Sequence, residues 1–327
     1  MPAGTRPPAA RPDYDENMKL SWAALAVAVF VAGCGRDRGV RVFLDETYPE
    51  KLSEWRLFTS AGPNLAPNQD VVAYEVRTAL FSNHARKYRT LWIPRGKKAA
   101  ARPDGTIVFP VGTVFSKTFS FDGRRIETRL LIHRAKGWVG VPYVWNREQT
   151  EATLAVSGDF TTVHADGRDV EYAIPNVNQC RSCHDQAGDT LPLGPTVRNL
   201  DAATIARLGI AEPASEPVTL ESRARAYLDV NCATCHNPSG SGMAIPLDFS
   251  YSQTLPASIG VKQIATKPVD ARGLRLIIAP GNPDASILVH RMQSTDPKIG
   301  MPTIGHSSVD RDGIELISQW IRSMKRS

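Results

Sequence analysis

The stretch "VEYAIPNVNQCRSCHDQ", residues 170–186, changes character halfway along. Val170 to Pro175 form a run of β-formers closed by proline, which reads as the last strand of a sheet. The next residues place Cys180 and Cys183 with two residues between them and His184 directly after the second cysteine. Upstream, "DVVAYEVRT", "KYRTLWIP", "TIVFPVGTVFSKTFSF", "RRIETRLLIH" and "WVGVPYVWN" are rich in Val, Ile, Thr and aromatics. Gly- and Pro-containing turns separate them: "PRGKK", "RPDGT", "FDGRR", "SGDF" and "ADGRD". Residues 40–200 therefore read as a mainly antiparallel β domain, with a short helix near "YPEKLSEWRLF" and the cysteine motif at its C-terminal edge.

A near copy of that motif, "NCATCHNP", occupies 231–238, and the two use four of the five cysteines in the 327-residue chain. Disulfide pairs, a four-cysteine zinc site and thioredoxin-like redox pairs all leave the two histidines unexplained. The 48 residues between Cys183 and Cys232 also exceed the roughly 15–20 of a zinc ribbon. Covalent haem c explains every position: two sulfurs with two residues between them reach one porphyrin edge, and the next residue, histidine, turns under the ring to the iron. Two covalently attached haem c groups are expected, on Cys180 and Cys183 with His184, and on Cys232 and Cys235 with His236.

From 218 onward the chain reads as an all-α cytochrome c domain, 218–327, after a linker at 201–217. Thr219 caps a helix in which Leu220, Ala224, Tyr227 and Leu228 recur at three- and four-residue steps. "PSGSGMAIPLDFSYSQTLPASIG" reads as a loop, and "SVDRDGIELISQWIRSMK" as a final helix with Ile314, Ile317, Trp320 and Ile321 on one face. "KIGMPTIG" offers Met301 as the sixth ligand of the second iron. Met243, Met292, Met324 and His306 are the alternatives. No methionine lies between Met18 and Met243, so the first iron has His84, His133, His164, Lys117 or an open position on its other side. Arg181 and Arg198 either pair with haem propionates or face solvent.

Near the N-terminus, Lys19, the apolar run Leu20–Val31 and Val31-Ala32-Gly33-Cys34 form the pattern of a lipoprotein signal peptide, 18–34, with the lipid on Cys34. Residues 1–17 then form an extension ahead of the true start. The apolar run is too short to span a bilayer. Gly35 after the lipidated cysteine points to the outer membrane. The formal charge of +6, from 39 Lys plus Arg against 33 Asp plus Glu, comes without like-charge runs and argues against nucleic acid.

Several stretches carry a resemblance. "YLDVNCATCHNP", "PGNPDASILVHRM", "MPTIG" and "ELISQWI" resemble the class I cytochrome c domain. "TALFSNHARKYRTLWIP", "FPVGTVFSKTF", "ETRLLIHRAKGWVGVPYVWN", "IPNVNQCRSCH" and "LPLGPTVRNL" resemble a family of bacterial periplasmic di-haem c-type cytochromes of unassigned role. The strand around Lys117 is more faintly similar to β-sheet haem proteins that include hydroxylamine-oxidising cytochromes. The sequence as a whole reads as an α+β multidomain fold, and two haems on an exported chain make an electron carrier between periplasmic donor and acceptor proteins the leading function. Two other functions compete: a haem enzyme whose open first iron acts on peroxide or a small nitrogen compound, and a non-catalytic subunit of a surface complex.

Overall fold

The computed structural model describes residues 39–325 apart from 61–64, 166, 213–216, 243–244, 266–270 and 304. Its centre is a six-stranded antiparallel sheet of β1 (Val71–Ala73), β2 (Arg86–Trp92), β3 (Val114–Phe121), β4 (Arg124–Arg134), β5 (Gly137–Trp145) and β6 (Ala152–Leu154), arranged in sequence order. β3 and β4 are joined through Asp122 and Gly123, both at positive φ (47° and 78°), the backbone that a two-residue hairpin between twisted strands requires. β7 (Asp159–Ala165) and β8 (Arg168–Ile174) form a separate hairpin.

Strand alternation gives the sheet two unlike faces. One is apolar: Val114, Leu130, Ile132, Val141 and Tyr143 pack under Leu52, Trp55 and Leu57 of the N-terminal segment. Trp55 Nε1 donates to the Tyr143 hydroxyl at 2.7 Å, so the indole is buried without losing its hydrogen bond. The other face carries two apolar clusters, one around Phe109, Phe115 and Leu200 and one around Phe119, Phe121 and Tyr172. Between them Arg89, Lys117 and Arg129 stand opposite one another on β2, β3 and β4.

β8 leads into α1 (Val177–His184), followed by α2 (Ala202–Arg207), α3 (Leu220–Asn231), α4 (Ile287–Met292) and α5 (Arg311–Ser323). The residues expected as a linker include α2, whose Ile205 is buried with Phe109 and Leu200. The all-α C-terminal domain expected from the sequence is not what forms. After residue 218 three α-helices and a 3-10 turn are set in long irregular segments tied by isolated β-bridges, such as Val261 to Ile278. The Gly-, Pro- and Ser-rich composition of 238–260 accounts for this, because those residues favour turns over helix. Residues 39–327 form one compact unit, mainly β-sheet with a few helices.

The helices still build a core. Leu228 of α3, Val289 of α4 and Ile317, Trp320 and Ile321 of α5 are buried together, with Ile314 packed against them. Thr219 and Asp310 cap α3 and α5 by accepting from Ser222 N and Gly313 N. This helical part is bonded to the sheet part. Asn231 Oδ1 accepts from Phe81 N at 2.7 Å, and the buried Asn83 Oδ1 accepts from Ser307 N, Ser308 N and the Ser308 hydroxyl.

Candidate functional site

The first motif is a helix from end to end. Asn176 caps α1 with a reciprocal pair: its Oδ1 accepts from Gln179 N at 2.8 Å, and Gln179 Oε1 accepts from Asn176 N at 2.9 Å. Three residues apart on that helix, Cys180 and Cys183 lie on one side of it. Cys180 is buried against β5 at Gly140, where a side chain's Cβ would sit 2.7 Å from the Cys180 Cβ, so only glycine allows this approach. Burial pushes the Cys180 thiol up to about 11.

His184 ends the helix. Its Nδ1 lies 2.7 Å from the Leu191 carbonyl, and Leu191 N donates back to the His184 carbonyl at 2.8 Å. A carbonyl only accepts, so Nδ1 holds the proton and Nε2 keeps its lone pair, the tautomer that a metal ligand needs. Burial first, with opposition from the Leu191 hydrogen bond, brings the imidazole down to about 4, so it is neutral at neutral pH.

The second motif begins where α3 stops. Cys235 N and His236 N both donate to the Cys232 carbonyl, at 3.1 and 2.9 Å, extending the helix by one turn. Gly242 N then donates to the Cys235 carbonyl at 2.8 Å. At both Gly240 and Gly242 a Cβ would run into that carbonyl, so the loop can wrap the motif only with glycine there. Phe249 closes the other side, its N donating to the His236 carbonyl at 2.9 Å and its ring lying edge-on 5.6 Å from the imidazole. Burial lowers the His236 pKa, with Arg291 adding to the effect. Among the described residues its Nδ1 is buried and has no hydrogen-bond partner.

Each motif offers two thiols and one imidazole, the donor set that a covalent haem would use. The four thiols are not joined in disulfides. Among the described residues, no three His, Cys, Asp or Glu side chains converge as a metal-ion cage.

The distal candidates sort differently. Met292 is buried in the helical core and Met324 packs against it; His306 holds the Ser294 carbonyl through Nε2 at 3.0 Å. Met301 is half-buried, on a loop tied to Arg291: its N donates to the Arg291 carbonyl, and Arg291 Nη1 donates to the Ile299 carbonyl, both at 3.0 Å. Arg291 is also the charge that reaches His236. Met243 and Cys34 lie outside the described residues. On the first side, His133 is held by the Phe109 carbonyl and stacked on Trp138 at 4.4 Å. His164 is exposed and paired with Asp169. His84 and His164 line a cleft of about 430 Å³ with Arg86 and Asp122. Lys117 alone of these groups acts electrostatically on Cys183 and His184. Its neighbour Arg129 is committed to the fully buried Glu127, which also accepts from the Tyr172 hydroxyl at 2.6 Å. Arg181 pairs with Asp185 at 3.3 Å. Arg198 pairs with Asp229 at 2.8 Å and covers the Tyr251 ring.

One arrangement had no signal in the sequence. Beyond His184 the chain makes a tight hairpin, Asp185–Gln186 against Asp189–Thr190, and its tip meets the second motif. Gln186 Nε2 donates to the Thr234 carbonyl at 3.0 Å, Asn237 Nδ2 donates to Gln186 Oε1 at 2.9 Å, and Ala187 N donates to the Ser239 carbonyl at 3.3 Å. The two motifs, far apart in sequence, are neighbours in space. Comparisons with protein-family models, with curated proteins and with solved structures found no match.

Proposed function

We propose that the chain is an exported c-type cytochrome carrying two covalent haem groups, on Cys180 and Cys183 and on Cys232 and Cys235, and that it passes electrons between periplasmic partner proteins. The observation that carries this reading is that each Cys-x-x-Cys-His segment ends in a half-buried imidazole behind two thiols that form no disulfide, and that the first imidazole is held by the Leu191 carbonyl with its Nε2 left free to bind. Bound haem supplies one-electron exchange between ferric and ferrous iron. The chain's own residues do the rest. His184 and His236 would bind the two irons through their ring nitrogens, and Met301 would offer the second a thioether, a ligand that favours the ferrous state. The Leu191 carbonyl orients the first imidazole, and Lys117 places a titratable amine beside it.

Intact mass after expression with haem-attachment machinery is expected to exceed the polypeptide by two haems. A bare chain holding two disulfides would refute the reading. Anchoring through lipid on Cys34 belongs to the same proposal: Cys34→Ser is expected to move the protein from the membrane fraction into the soluble periplasm, and retention on the membrane would overturn that part.

A further inference from the structure

Each haem of the proposed pair would be tied to its own motif at three points, two thioethers and one imidazole. Whatever fixes the two motif backbones to each other therefore fixes the two haems to each other. In this chain one side-chain amide bonds across that junction in both directions. Gln186 follows the first motif by two residues and donates to Thr234, which lies inside the second motif between Cys232 and Cys235. Its carbonyl oxygen accepts from Asn237, the residue directly after His236. Asn237 in turn donates to the Ala233 carbonyl at 2.6 Å, so the bond from Gln186 reaches the second motif by two routes. The hairpin that carries Gln186 turns through Ala187 and Gly188, both at positive φ (55° and 94°), and the Ala187 N–H adds a third bond, to Ser239. Leu191, which orients His184, lies just past the end of the same hairpin. Ligand orientation in the first motif and docking onto the second therefore share one short piece of chain.

We propose that Gln186 is a positioning residue that locks the two Cys-x-x-Cys-His segments into one junction, so that the haems they carry form an interacting pair rather than two independent centres. This rests on the di-haem reading. A terminal amide suits the task because it offers a donor and an acceptor in one plane and uses both across the junction.

The experiment uses the full haem-loaded protein and two variants, Gln186→Leu, which keeps bulk and removes both bonds, and Gln186→Glu, which keeps the acceptor and removes the donor to Thr234. Haem content is read by intact mass. Interaction is read by electron paramagnetic resonance of the oxidised protein and by whether reduction of one centre shifts the midpoint of the other. The wild type is expected to show magnetically interacting ferric signals and dependent midpoints. Gln186→Leu is expected to retain two haems while the signals separate into two isolated species and the midpoints become independent; Gln186→Glu should fall between. Two haems with non-interacting signals in the wild type, or an unchanged interaction in both variants, overturns the positioning role while leaving the di-haem reading intact. A wild-type chain without haem overturns both. Should Gln186→Leu fail to fold, the wild-type spectrum and the milder Gln186→Glu still decide the matter.

Discussion

Lys117 is the residue whose surroundings say most about the first motif. Its ammonium lies over the Phe119 ring at 5.7 Å, and burial first, then the neighbouring charges of Arg89, Lys87 and Arg129, bring its pKa down to about 7 from the ordinary value near 10.5. Below pH 7 the amine is protonated in both folded and unfolded chains, so the folded state bears the full cost of the buried charge. Between pH 7 and 10.5 the folded chain has released the proton while the unfolded chain keeps it, and stability rises with pH. Above that window the cost is gone. Lys117→Met is therefore expected to stabilise the fold by roughly 2–4 kcal/mol at pH 6, with the gain fading towards pH 10.5, as read from urea unfolding across that range. Sequence reasoning reached Lys117 as one of several groups near the first iron. It could not see the row of cations, because Arg89, Lys117 and Arg129 meet only through strand register.

At the scale of elements, the seat of α1 depends on one missing side chain. Gly140→Ala puts a Cβ where the Cys180 Cβ packs, and overfilling of this kind costs about 1–3 kcal/mol. The variant is expected to unfold at lower urea and to expose the Cys180 thiol, which a thiol reagent should then modify faster than in the parent, both taken as cofactor-free polypeptide. Equal rates would show that the helix had another way to seat. Elements of this kind were largely legible: the strands announced themselves by Val, Ile and aromatic content, α3 by its Thr219 cap and apolar spacing, and α5 by Ile314, Ile317, Trp320 and Ile321. The misreading came from 218–327, where two correctly placed helices, α3 and α5, suggested a helical domain. Helix periodicity reports local amphipathicity and says nothing of how much irregular chain lies between helices or what the helices dock against.

For the whole molecule, the joint between sheet and helices is polar and buried. Asn83 accepts three hydrogen bonds from Ser307 and Ser308 on the far side of that joint. Asn83→Ala leaves those donors unpaired and is expected to cost about 1–3 kcal/mol. Because residues 39–327 form one unit, calorimetry of the parent should show a single transition that the variant moves down as a whole. Two separate transitions would mean that the parts fold independently. None of this joint was readable beforehand, since Asn83 and Ser307 are ordinary polar residues until the fold brings them together.

The burial of Cys180 against bare backbone also sets an order of events in the life of the chain. A thiol that lies 9% exposed and whose pKa stands at about 11 is neither reachable by an attaching enzyme nor reactive enough to form a thioether at neutral pH. On the two-haem proposal, attachment at the first motif would have to precede the docking of α1. Cofactor loading would then gate folding, and a chain that folded first would have closed its own attachment site.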